Sequence, residues 1–154
     1  MSSEVLLVQG TSIQISTSEC TDVNIDPLPV MATLDCIARE ITVTGGTATE
    51  NDVTTLCSTA KEFRMGLSDA GTMSVTGHWK IGNAAHEAIR EASEDKLRRL
   101  IIVTFEDLST WKCLAFVSQR SWAAAVDGIV TATYSFRLTG EPVEAPAPVV
   151  PPAP

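Results

Sequence analysis

Between residues 72 and 81 the chain alternates without a break. Met73, Val75, Gly77, Trp79 and Ile81 take every second position, and Thr72, Ser74, Thr76, His78 and Lys80 fill the others. A period of two belongs to a β-strand with one buried face and one wet face. The pattern returns at Val130, Ala132, Tyr134, Phe136 and Leu138 against Thr131, Thr133, Ser135, Arg137 and Thr139. Ile13 and Ile15, and again Ile41 and Val43, repeat it over shorter runs among serine, glutamine and threonine. Leu100, Ile101, Ile102 and Val103 form an unbroken apolar run, as in a strand covered on both faces. Residues 111–117 read as its hairpin partner through a turn at 107–110. A chain patterned this way folds mainly as β-sheet.

One segment departs from the period. Residues 83–95 place Ala85, Ala88, Ile89 and Ala92 at i, i+3, i+4 and i+7, the spacing of a helix with one apolar face. Asn83 suits the N-cap because its side-chain oxygen accepts a free first-turn N–H. These four residues are the expected packing face of a single short helix laid on a sheet. Residues 45–62 are polar and threonine-rich with no sustained period, and read as a long loop; loops of more than about 12–15 residues in a compact domain usually carry function or disorder. Six of the eight prolines follow Glu141. The expected organisation is therefore one β domain over residues 1–140 and an extended, proline-rich tail over 141–154.

Charge and composition narrow the function. The net charge is −8, and residues 1–60 hold eight acids against one base, Arg39. Proteins that grip nucleic acid through phosphates are usually basic, so tight DNA binding is not expected. The uneven charge is compatible with complementary patches that steer self-association. No apolar run approaches the ~20 residues of a membrane span, and the acidic start does not resemble a signal peptide. Cysteines at 20, 36, 57 and 113 form no C-x-x-C pair, and His78 and His86 are the only histidines. Cys36 and Cys113 sit among apolar neighbours, as structural thiols do. No catalytic, metal or cofactor constellation can be read, and Glu106-Asp107 reads as a solvated turn.

The order of segments then becomes informative. KEFRMGLSD at 61–69 leads into Gly71-Thr72-Met73-Ser74-Val75; a helix and a hairpin follow; and the last strand closes with SFRLTGEP at 135–142. Together with LDCIAREITVTGG and DVTTLCST upstream, this resembles the major tail tube proteins of long-tailed, non-contractile bacteriophages, over roughly residues 20–142. The resemblance implies a β-sandwich or half-barrel with a flanking helix and a long polar loop. It implies hexameric rings stacked into a hollow tube in the virion, with no cofactor and no metal. Other tail proteins sit at the tube ends, and DNA passes through without tight binding. The long loop reaches the adjacent ring in that family, which makes Glu50, Asp52 and Thr54 the expected inter-ring contacts. Two other readings stand beside it: a soluble β-sandwich module that binds a ligand with exposed aromatics, and the tube subunit of a contractile tail or secretion machine.

Overall fold

The computed structural model describes residues 11–25, 29–35, 37–126 and 128–146. Among these lie, in order, β1 (Ser12–Ser16), β2 (Met31–Thr33), β3 (Ala38–Thr44), β4 (Ala48–Asp52), β5 (Phe63–Ser68), β6 (Thr72–His78), α1 (Ala84–Asp95), β7 (Arg99–Thr104), β8 (Thr110–Ala123) and β9 (Thr131–Ala145). Seven strands make one sheet in the order β2-β1-β7-β8-β9-β6-β3, with every pairing antiparallel. β4 and β5 pair only with each other.

The long ribbon of β8 and β9, 14 and 15 residues, organises the rest. Neither neighbour runs its full length. β7 pairs with β8 between Thr110 and Ala115, whereas β6 pairs with β9 between Thr131 and Arg137. Two half-sheets therefore grow from opposite ends of one ribbon. Ile13, Ile15, Ile101 and Val103 of one half share a core with Met73, Val75, Tyr134 and Phe136 of the other. The fold is mainly β, as the alternation predicts, and sandwich-like with one flanking helix, as the resemblance implies. Leu100 to Val103 is buried on both faces: Ile101 and Val103 enter this core, while Leu100 and Ile102 join Cys20 and Leu114 beneath Val23, Ile25 and Met31.

One irregularity redirects several side chains. Val117 stands opposite Phe136 and Gln119 opposite Ser135, so Ser118 is an extra residue on β8. Such a bulge exchanges the two faces of a strand. Before it, Cys113, Ala115 and Val117 face the core. After it, Arg120 and Trp122 share a face with their partners Tyr134 and Ala132.

The helix is built as its sequence dictates. Asn83 Oδ1 accepts from the Ala85 amide at 2.9 Å, and left-handed Lys96 (φ 59°) donates its amide to Ala92 O. Ala85, Ala88, Ile89 and Ala92 are buried beneath it. His86 is buried with them, a residue the apolar spacing did not select. Its Nδ1 shares a hydrogen bond of 2.8 Å with the Tyr134 hydroxyl, and Trp79 meets its ring edge-on at 4.5 Å. Burial depresses the His86 pKa, and the Arg120 cation adds to that effect. At the other end of the helix, buried Arg99 donates to Asp95 Oδ2 at 2.7 Å.

Four boundaries differ from the sequence reading. The strand read over 72–81 ends at His78, and Ile81, expected on its buried face, is exposed. Residues 45–62 are not a structureless loop: they contain β4 and lead through a turn into β5, which forms a projecting hairpin. Neither strand packs on the core, so neither face is buried, and β4 carries no period. Residues 141–145, placed in the tail, belong to β9, where Val143, Glu144 and Ala145 pair with Lys112, Trp111 and Thr110. Pro142 is tolerated because it falls where three residues of β9 oppose Cys113, beside Gly140 at φ 75°. Residues 147–154 and Cys36 lie outside the described residues. The hairpin partner placed at 111–117 extends to Ala123.

The pH dependence of stability tests the helix anchor. His86 has a lower pKa folded than unfolded, so the unfolded chain takes up the proton first. Stability is full above the ordinary histidine value of 6.5 and falls as pH drops through and below it. Denaturation midpoints measured from about pH 7.5 to about pH 5 should fall with pH, and His86→Gln should flatten that slope. Tyr134→Phe should cost about 1–3 kcal/mol at neutral pH by leaving a buried ring nitrogen unpaired. Parallel pH profiles for wild type and His86→Gln would remove the histidine from this account.

Candidate assembly surfaces

The β4–β5 hairpin is an arm with a stiff root. Gly71 holds a positive φ of 103°, and a Cβ there would strike the Thr44 carbonyl oxygen. The Asp69 carboxylate accepts from the Gly71 amide at 3.0 Å and pairs with Arg137 of β9. The Gly71 amide foremost, and the guanidinium after it, hold the Asp69 carboxyl below the usual range. Asp69 N also donates to Thr47 O at 3.3 Å, joining the two sides of the root.

The three residues expected to make inter-ring contacts lie in this arm with different surroundings. Glu50 stands opposite Met65 and Asp52 opposite Phe63, so each carboxylate shares a face with an apolar side chain. Thr54 closes the turn: its hydroxyl accepts from Glu62 N at 2.8 Å, and its amide donates to Asp52 Oδ1 at 2.9 Å. Hydrogen bonds from Thr54 hold the Asp52 carboxyl below its ordinary pKa. Phe63, Met65 and Leu67 are all exposed, as is Leu56 beyond Thr54. This alternation of Phe63, Met65 and Leu67 with Arg64, Gly66 and Ser68 was missed; in the hairpin a register shift sets Ser68 opposite Ala48, so the shared face holds Phe63 and Met65 and Leu67 falls outside it.

A second surface lies on the side of β3, β6, β9 and β8 that faces away from the core. Register places Thr42, Ser74, Ser135 and Gln119 in one row and Glu40, Thr76, Thr133 and Ser121 in the next. Thr44, Thr72, Arg137 and Phe116 form the row nearest the arm. Arg137 is the only Lys or Arg in these rows, and it is tied to Asp69. This polar patch ends in two edges. β3 is the last strand of the sheet, and β8 loses its β7 partner after Ala115, leaving residues 116–123 paired on one side only among the described strands.

The mouth of the sandwich is a cleft of about 510 Å³ lined by Ile13, Ile41, Val43, Val103, Phe105 and Trp111, with Asp35, Arg39 and Glu40 at its rim. Asp35 is already engaged, accepting from the Ser12 hydroxyl and the Ile13 amide. Burial pushes the Cys113 thiol up to about 12, which keeps it protonated. Among the described residues no group of three His, Cys, Asp or Glu side chains is placed to hold a metal ion. No helix among them is long and apolar enough to cross a membrane.

Comparison with known proteins places these surfaces in context. A family model described as the lambda-like phage tail tube matches residues 4–110. No curated protein sequence matches the chain. The fold is similar to the SPP1 tail tube at 15% identity, with a TM-score of 0.62 over 92% of this chain and 80% of that one. It is similar to a chain in the tail of an empty gene transfer agent particle of C6 symmetry, at 15% identity and a TM-score of 0.66 over 90% and 98%. It is also similar to a chain of the PVC sheath–tube complex, an extracellular contractile injection system, at 9% identity and a TM-score of 0.61 over 93% of each.

The arm root yields a paired substitution test. Gly71→Ala forces a side chain into a left-handed, crowded site and should cost about 1–3 kcal/mol in chemical denaturation. Gly45→Ala, one turn of the root away with open space around it, should change the midpoint little. Equal effects at the two positions would contradict the stiff root.

Proposed function

We infer how this protein works from one premise: the chain belongs to the lambda-like family of phage tail tube proteins. It is a structural virion protein, a subunit of the tail tube. Six copies close into a ring, the symmetry of the gene transfer agent tail whose fold it shares. The rings stack into a conduit for the genome, and other tail proteins occupy its ends. No chemistry is required of the subunit, whose work is done by shape and by weak contact with what passes.

The observation that carries this reading is the pair of open edges on either side of the polar four-strand patch. In the order β8-β9-β6-β3 the strands alternate in direction. The β3 edge of one copy therefore meets residues 116–123 of the next in the antiparallel sense that the rest of the sheet uses. Each junction joins two unlike edges, and rotation closes the series into a ring. Closure removes edges that would otherwise template uncontrolled pairing.

The polar patch then faces the channel. Hydroxyls of Thr42, Ser74, Thr76, Thr133 and Ser135 present a wet wall, and Glu40 adds negative charge. Each free Lys or Arg would add a phosphate contact and slow transit. The one arginine here is neutralised by Asp69. The arm, rooted at the end of the same strands, extends toward the neighbouring ring.

Hydrogen exchange tests the edges. Amides of β3 and of residues 116–123 should exchange readily in dissociated subunits and become protected in tubes. Tubes that protect the arm but not these edges would replace edge pairing with another ring contact. Replacing residues 47–68 with a short turn tests the arm, because Thr44 and Thr72 already face each other across the hairpin it interrupts. That variant should keep its denaturation midpoint to within about 1 kcal/mol and form no tubes in electron micrographs. Failure to fold would mean that the arm supports the core.

A further inference from the structure

We propose that the acidic, apolar face of the arm docks on the tryptophan-bearing far end of the sheet in a second copy of this chain, one ring along. The proposal rests on the tube reading and names the two faces that meet.

Placement comes first. β6 starts at Thr72 beside the arm root and ends at His78, and its partners follow it: Arg137 at the root end, Thr131 at the far end. The arm thus leaves from one end of the strands. At the other end, exposed Trp122 closes β8, exposed Val126 and Ile129 follow in the turn to β9, and exposed Ile81 lies between β6 and α1. A strongly acidic chain keeps two apolar patches in water, at opposite ends of the same strands. Contiguous exposed apolar surface of this kind marks interaction sites.

Charge complementarity selects the occupant. On the arm, Phe63 and Met65 are flanked by Asp52 and Glu50. At the far end Lys80 adjoins Ile81, and the Arg120 guanidinium lies 5.7 Å from the centre of the Trp79 ring, which in turn lies 6.3 Å from that of Trp122; the Glu87 carboxylate, which accepts from the Gly82 amide beside Ile81, is already paired with Arg90. Among the described residues none of Glu50, Asp52, Lys80 and Arg120 takes part in an ion pair. Arg64, the cation within β5, stands opposite Asn51 on the other face of the arm. Acid beside apolar on one patch therefore meets base beside aromatic on the other, and tryptophan with arginine is the composition of strong interface anchors.

Topology fixes the outcome of such a contact. The two patches are unlike and lie at opposite ends, so they satisfy each other only between copies. An association of that kind, repeated head to tail, does not close and grows a filament. The Ser118 bulge gains a role here, because it turns Arg120 and Trp122 onto the Trp79 side of β8.

The test uses the full chain and a charge swap. Lys80→Glu alone and Glu50→Lys alone should each raise the protein concentration needed for tubes by about tenfold or more, seen by sedimentation and electron microscopy. Both changes in one chain should restore assembly, a rescue that a merely structural role does not give. In a Cys57→Ser background, Met65→Cys with Ile81→Cys should give covalent ladders longer than dimers when assembled tubes are oxidised, and neither cysteine alone should do so. Tubes that form normally with either charge reversal, or that never cross-link, overturn this docking and leave the tube reading intact. A wild-type chain that forms no tubes overturns the tube reading, and this docking with it.

Discussion

The antiparallel pairing of β8 with β9 is the interaction on which everything else depends. Among the described strands it is the only ribbon long enough to carry a half-sheet at each end, and the core exists because those halves face each other across it. Burial of Tyr134 and Phe136 from β9, beside Cys113 and Ala115 from β8, anchors both halves to the same layer. The same ribbon provides one of the two edges of the polar patch, since among the described strands β8 outlasts its β7 partner. In the proposed ring, fold and assembly draw on this one element for different reasons: its buried face holds the subunit together, and its edge joins the next copy.

The helix completes this arrangement rather than directing it. Its alanines allow close approach, and two polar links tie it to the sheet, His86 to Tyr134 and Asp95 to Arg99. A buried neutral histidine held by a single hydroxyl ties the stability of the helix to pH, because protonation would place a charge beside Arg120 with little water to solvate it. The Trp79 ring lies against both His86 and Tyr134, so the far end of the sheet and the helix form one rigid cluster. An exposed Trp122 set on that cluster is held at low entropic cost, which suits a contact surface.

How much of this was legible in the chain depended on burial. Where one face of a strand enters the core, as at 72–78 and 131–138, the alternation is clean and the sequence predicts the strand closely. The helix was equally clear, because Asn83 and the alanine spacing act locally. The arm was not, since β4 and β5 bury neither face and polar residues such as Thr49 and Asn51 carry no period. The alternation of Phe63, Met65 and Leu67 in the sequence was readable in principle but resembled a strand about to enter a core. Glu50, Asp52 and Thr54 were singled out together from the loop, but the hydrogen bonds by which Thr54 closes the turn were not legible there.

Local pattern alone therefore determined that this is a β protein with a capped helix and that Leu100 to Val103 is covered on both faces. These are statements about which side chains prefer water, and neighbours in sequence suffice to make them. Tertiary structure decided the rest: which strands share the long ribbon, where its edges lie open, and which way Trp122 points. The physical reason is that pairing register is a non-local property. One extra residue at Ser118 reverses a face, and only the partner strand records it.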